Sequence, residues 1–385
     1  MAKGLDLAPA LLPTGLRDLL PPEARQEAEV IQTIIAVMAS HGYDLVKPPI
    51  AEFEESLLTG AGQSLVRRSF RLMDPLSHRM MALRTDMTLQ IARIATERLV
   101  NEPRPLRLAY SGEVLRMAGG QLHPERQMSQ LGCELIGSLD PAADAEIILL
   151  AAESLQRIGI ENISIDLNLP TLVPNLLKLH RLEAGPHNQA MAAIERRDTA
   201  MAASIDAVLG PILASLIHAV GPARTAIGIL QTLSIAGEAR QDIERLMAVV
   251  DRIEAQAPDL MLTVDPVERR GFEYHTGLSF ALFAMGIGEV GRGGRYRAGQ
   301  RGDGEPATGF TLIADKLLAG ATAISDPDRV LLPKGVDPAV GAELRRKGLV
   351  TVASLDESGD MDEMARRQGC SYIWRGKLEP VKAGI

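Results

Sequence analysis

The chain has 385 residues, 46% of them hydrophobic, enough to bury a full core and to build two or three domains. A formal net charge of −8 and a pI near 5.5 argue against a generic nucleic-acid binder, whose phosphate footprint needs a basic face. Only two cysteines, Cys133 and Cys370, are present, which excludes a cysteine-based zinc finger. No apolar run reaches the length of a membrane span, and the N-terminus lacks the features of a secretory signal, so a cytosolic protein is expected.

Pro21-Pro22 sits where a helix begins, because proline tolerates the first turn. Ala28, Ile31, Ile34, Ile35 and Met38 form a helical stripe, and Gly42 stops it. An extended segment follows, and Phe70, Leu72 and Leu83 mark two short strands around a turn at Asp74-Pro75. Residues 83–99 are helical in their second half. Thr85, Asp86 and Thr88 stand at the start of that helix. Capping of its free N–H groups and the holding of a ligand ammonium group are both open readings there.

Residues 110–137, YSGEVLRMAGGQLHPERQMSQLGCELIG, read as strand, loop, strand. Alternation puts Gln130, Gly132 and Glu134 on one face of the second strand. An amide and a carboxylate flanking a glycine leave a gap for a small polar ligand, and Arg116, closing the first strand, brings a guanidinium within range. A solvated sheet face with a hairpin turn at Gly119-Gly120 is the alternative.

Asp140-Pro141 starts a further helix that Gly159 ends, and Ile163, Ile165, Leu167 and Leu169 alternate as a strand. Residues 171–256 are Ala/Leu/Ile-rich and broken by Gly-Pro pairs, which indicates short helices inserted between two blocks of sheet. Their histidines, His180, His187 and His218, lack metal-ligand spacing. The sheet resumes near 260–264. The glycine-rich stretch 286–304 lacks the Gly-Lys-Ser/Thr ending of a phosphate loop and is expected to form tight turns between antiparallel strands. Residues 308–318 run from strand or turn into helix. From Arg329 a strand–helix–strand–helix–strand pattern forms a module too short to be stable alone.

These blocks, in this order, resemble the class II histidyl-tRNA synthetase core over nearly the whole chain. GLRDLLPPEA (15–24) is similar to the family's opening, HGYDLVKPPIAEFE to its first motif and YSGEVLR…QLGCELIG to its second. RRGFEYHTG resembles its histidine signature, and GGRYRAG…ATGFTLIADKL its glycine-rich stretch and third motif. The implied fold is α+β: a synthetase-like antiparallel sheet flanked by helices over 1–325, with the helical insertion 171–256, and a short α/β module over 326–385.

The departures point elsewhere. Arg84-Thr85-Asp86-Met87-Thr88, ending at Gln90, replaces the synthetase's Arg-Pro-Glu-Gly-Thr and resembles the ATP phosphoribosyltransferase regulatory subunits, non-charging paralogues of the synthetase. After Arg116 the loop Met117–Gln121 lacks the glutamate and arginine that contact ATP. Ile313-Ala314-Asp315-Lys316 replaces Gly-x-Glu-Arg, and lysine lacks the planar fork of arginine.

The resemblance carries over a histidine-binding set: Asp86, Thr88, Gln130 and Glu134 around the α-amino group, Arg116 toward the carboxylate, and Arg270, Tyr274 and His275 about the imidazole and carboxylate. It implies no catalytic residue, no cofactor and no metal. The implied partner is a short-form ATP phosphoribosyltransferase catalytic subunit, activated by a dimer of the present chain within a hetero-octamer and subject to feedback by histidine in the first step of histidine biosynthesis. Nucleic acid and membrane are not expected partners. A divergent synthetase and a stand-alone histidine sensor are the alternative readings.

Overall fold

A computed structural model describes residues 12–57, 69–117, 125–269, 275–299, 304–322, 326–356 and 359–382. Helix α1 (Glu23–Ser40) begins directly after Pro22 and buries Val30, Ile34, Val37 and Met38 along one stripe. Gly42, at φ +80°, turns the chain out of it. The short β1 (Asp44–Leu45) follows. Next, β2 (Ala51–Phe53), α2 (Glu54–Leu57), β3 (Arg71–Met73) and β4 (Met80–Leu83) build a small antiparallel sheet in the order β2-β4-β3. Helix α3 (Thr88–Arg93) is shorter than the expected helix, because its continuation, Ile94–Arg98, widens into a π-turn.

Strands β5 (Leu106–Leu115) and β6 (Gln127–Ile136) pair along their full length, Leu106 opposite Ile136 and Leu115 opposite Gln127. Helix α4 (Pro141–Arg157) carries proline in its first turn, and the Asp140 side chain caps it by accepting the Ala142 N–H at 2.8 Å.

After β7 (Ile163–Asn168) come α5 (Leu172–His180), α6 (Ala184–Arg196), α7 (Thr199–Ala203) and α8 (Leu209–His218). The two-residue β8 (Gly221–Pro222), α9 (Ala223–Thr232) and α10 (Gly237–Gln256) complete the helical region before β9 (Met261–Asp265). This region is the connection between β7 and β9, which are parallel neighbours. The first two Gly-Pro pairs do not separate helices as expected. Pro186 and Pro211 lie in the first turns of α6 and α8, where a missing N–H costs nothing.

The glycine-rich stretch departs from expectation in part. A turn at Gly286 and Gly288 joins antiparallel β10 (Ser279–Ala284) and β11 (Gly288–Ala298), but most of the described stretch is β11 itself, an eleven-residue strand paired on its other side with antiparallel β12 (Glu305–Ile313); residues 300–303 lie outside the described residues. The glycines are there for close approach. A Cβ on Gly293 would lie 2.3 Å from the Gly309 carbonyl oxygen and 2.4 Å from the Phe280 ring.

The nine-stranded sheet runs β1-β5-β6-β12-β11-β10-β7-β9-β8. Alternation divides it. Leu131, Cys133 and Leu135 of β6 join the core with α1 and α4. On the opposite face Met128 and Ile136 join a smaller cluster with Met87, Ile91 and Ala95 of the α3 segment. Gln130, Gly132 and Glu134 share that second face. Helix α11 (Ala314–Leu317) follows β12.

The chain divides into two compact units, Met1–Thr322 and Ala323–Ile385. The second contains β13 (Arg329–Leu332), α12 (Pro338–Arg346), β14 (Val350–Ala353), α13 (Met361–Arg367), β15 (Tyr372–Trp374) and β16 (Leu378–Pro380), in the sheet order β14-β13-β15-β16. Asp337 and Asp360 cap its helices. The final antiparallel strand is an addition to the expected pattern; its sequence, LEP, is too short to alternate. Among the described residues no helix is long and apolar enough to cross a membrane, and no group of three His, Cys, Asp or Glu residues is placed to hold a metal ion.

Candidate functional site

Glu134 lies on the α3 face of β6 and is 1% exposed. Its hydrogen bonds come from hydroxyls. Tyr296 of β11 donates to Oε2 at 3.0 Å and Tyr110 of β5 to Oε1 at 3.2 Å, and the Thr88 hydroxyl stands beside them, 3.4 Å from that of Tyr110. Burial pushes the Glu134 carboxyl up to about 8; the three hydroxyls pull it down, and the neighbouring Asp86 charge pushes it further up. A carboxylate so placed gains most from a positive charge brought by a ligand. The Tyr110 hydroxyl itself stays neutral: burial and the nearby Glu134 and Asp86 hold it well above its ordinary value.

Gln130, one pleat along, joins the same network. Its Oε1 accepts the Met87 N–H at 2.8 Å, and its Nε2 donates to Asp86 Oδ2 at 3.2 Å and to Thr311 Oγ1 at 3.3 Å. Asp86 Oδ1 accepts the Thr88 N–H at 2.7 Å, a bond of the capping kind at the start of α3, while its Oδ2 faces Gln130. Thr311 Oγ1 also lies 2.8 Å from the Tyr110 hydroxyl. Two glycines keep the floor open: a Cβ on Gly309 would fall 1.9 Å from Glu134 Oε2, and one on Gly132 would fall 2.7 Å from the Tyr110 hydroxyl. What remains in the structure is a small cavity, about 10 Å³, lined by Thr88, Glu134, His275, Arg292, Tyr296 and Thr311 together with the glycine backbone.

The structure thus brings Asp86, Thr88, Gln130, Glu134 and His275 together. Arg270 and Tyr274 lie outside the described residues. Arg116 does not line the cavity; its charge acts on Lys316, whose ammonium is held below its ordinary value by burial, against the opposing pull of Glu289, with Arg292 and then Arg116 adding to the lowering. The missed contributors are Tyr110, Tyr296, Thr311, Arg292 and Gly309. Tyr110 falls on β5, beside the Glu134 strand, but Tyr296 comes from β11, beyond β12, so only the sheet order brings both hydroxyls to Glu134.

Two replacements at the third motif are also explained locally. Ile313 ends β12 opposite Gln130, and Lys316 is held on the chain itself, Nζ donating to the Glu289 carbonyl at 2.9 Å.

The family model for histidyl-tRNA synthetase matches residues 15–317. A crystal structure described as an ATP phosphoribosyltransferase regulatory subunit/histidyl-tRNA synthetase from Bacillus halodurans C superposes with a TM-score of 0.79 at 23% identity, covering 95% of this chain and 97% of that one. A chain of the ATP phosphoribosyl transferase (HisG:HisZ) complex from Thermotoga maritima matches with a TM-score of 0.58 at 16% identity, covering 75% and 97%. The fold is therefore that of the histidyl-tRNA synthetase-like proteins, α+β with a large sheet that is antiparallel except for the β1/β5 and β7/β9 pairs. The ATP phosphoribosyltransferase regulatory subunit of Rhodospirillum centenum (strain ATCC 51521 / SW) is 51% identical over 368 residues, 95% of each chain. The chain belongs to the family of ATP phosphoribosyltransferase regulatory subunits.

Proposed function

We propose that this chain carries no reaction of its own, binds and activates a short-form ATP phosphoribosyltransferase catalytic subunit, and takes free histidine into the Glu134 pocket as the feedback signal. The observation that carries the ligand reading is the Glu134 carboxyl, buried, held by the hydroxyls of Tyr296 and Tyr110 and flanked by Asp86. That arrangement suits the α-ammonium of an amino acid, with Gln130 and Thr88 fixing its orientation. His275 lines the cavity on the side that the resemblance assigns, together with Arg270 and Tyr274, to the imidazole and carboxylate. Lys316 bonded to Glu289 and Ile313 in place of glycine agree with a site that does not handle ATP. The names of the relatives support a transferase partner. Assembly runs through a dimer of this chain into a hetero-octamer in the cytoplasm. Histidine and the partner's substrates then favour different states of the complex, and the difference in affinity sets the strength of feedback.

The test is reconstitution with a short-form catalytic subunit. Turnover rises on mixing and falls when histidine is added, and Glu134→Gln keeps the rise but loses the fall. Failure of the two chains to associate, or histidine-dependent exchange of pyrophosphate into ATP by this chain alone, would contradict the proposal.

A further inference from the structure

On the other face of the same sheet lies a second buried carboxylate, Asp144, in the first turn of α4 and 2% exposed. Its Oδ2 accepts from Arg295 Nε at 2.8 Å and from Arg245 Nη1 at 2.9 Å. Arg295, itself 4% exposed, uses the rest of its fork on the turn before α4: Nη1 donates to the Ser138 carbonyl at 2.8 Å and Nη2 to the Asp140 carbonyl at 2.9 Å. Arg245 comes from α10, the last helix of the 171–256 region, and its Nη2 donates to the Leu139 carbonyl at 2.6 Å.

Arg295 stands on β11 between Gly294 and Tyr296. Strand alternation therefore sends its guanidinium toward α4 while the Tyr296 hydroxyl points to Glu134. Its backbone also holds the segment that follows His275. The Thr276 N–H donates to the Arg295 carbonyl and the Arg295 N–H to the Leu278 carbonyl, each at 2.8 Å. A displacement of this strand by about 0.5 Å would carry the 3.0 Å bond from Tyr296 to Glu134 to the edge of hydrogen-bond range.

We propose that Asp144 is a positioning residue of the pocket: through Arg295 it sets β11 so that Tyr296 meets Glu134 and His275 is held at the cavity, and through Arg245 it ties α10 to that strand. The ligand belongs to the histidine reading above, but the positioning itself can be measured without any ligand. The groups facing Glu134 are Asp86 and Thr88 from the α3 start, Tyr110 from β5, His275, and Arg292 and Tyr296 from β11. Tyr296 is the one adjacent to Arg295, so loosening Arg295 weakens one identified hydroxyl bond to Glu134.

The experiment follows thermal unfolding of the full chain against pH, with Glu134→Gln as the background that isolates the Glu134 ionisation. Tyr296→Phe raises the midpoint of that ionisation by about one pH unit, the effect of losing one hydrogen bond to a charge. Asp144→Asn raises it comparably, and the double variant no further. Histidine affinity, measured in parallel by calorimetry, falls about tenfold in Asp144→Asn. A purely structural Asp144 would lower the unfolding temperature at every pH and leave the midpoint in place, which overturns the proposal. Should Asp144→Asn fail to fold, Arg295→Lys replaces it: the charge stays, the fork to Ser138 and Asp140 is lost, and the same rise is expected. A wild-type chain that shows the midpoint shifts but binds no histidine refutes the histidine reading while leaving the positioning role standing.

Discussion

Two buried carboxylates on opposite faces of one sheet have opposite surroundings. Asp144 already has its counter-charges, two arginines on one oxygen, with carbonyls of the Ser138–Asp140 turn absorbing their remaining donors. Glu134 receives hydroxyl hydrogen bonds and feels the like charge of Asp86, so burial drives its carboxyl up to about 8. The first arrangement has its charge answered through Oδ2, although the buried Oδ1 has no hydrogen-bond partner among the described residues, and it serves to hold elements together. Among the described residues no cation pairs with the second, although Arg292 lines the same cavity. In a buried setting the missing counter-charge, more than the carboxylate itself, separates a ligand site from scaffold.

That contrast breaks down if Glu134 proves as settled as Asp144. The folded chain keeps the Glu134 proton up to about pH 8 while an unfolded glutamate releases it near 4.5, so folding stability falls as pH rises across that window and levels off above it. The largest expected effect is therefore Glu134→Gln, which at pH 9 stabilises the ligand-free chain by several kcal/mol, on the order of 5, and flattens the profile, as denaturant titrations at pH 5 and pH 9 would show. Asp144→Ala has the opposite sign: it strands two arginines behind the sheet and costs about 3–5 kcal/mol in the same titrations. Tyr296→Phe removes one hydroxyl from Glu134 and weakens histidine binding by about 1.5–3 kcal/mol in calorimetry. Smallest is Arg245→Ala: Arg295 still pairs with Asp144, and about 1 kcal/mol of stability is lost.

Much of the pocket was legible because strand geometry is simple. A period of two was enough to put Gln130 and Glu134 on one face, and residues 83–99 announced a helix start at Asp86 and Thr88. Within the Arg84–Gln90 motif the sequence does not separate site from support. Arg84 is buried and donates to the Glu113 and Pro48 carbonyls, Met87 is fully buried in the core, and Gln90 donates to Pro49 and Glu52. Tyr110 reads as a core aromatic, since nothing local reveals that its hydroxyl reaches Thr311 from the far side of β6. The glycine-rich stretch misleads because glycine serves both turns and close strand packing, and only the sheet order shows which. Arg295 and Asp144 are 151 residues apart and carry no shared motif, so their pairing is purely tertiary.

The central claim is that Glu134 waits, protonated, for an ammonium group. Calorimetry of histidine binding at pH 7, in two buffers of different ionisation enthalpy, tests this directly. Displacement of the Glu134 proton by the ligand predicts release of about one proton per histidine bound in the wild-type chain, and loss of binding in Glu134→Gln. Binding without proton release, unchanged in Glu134→Gln, would contradict it.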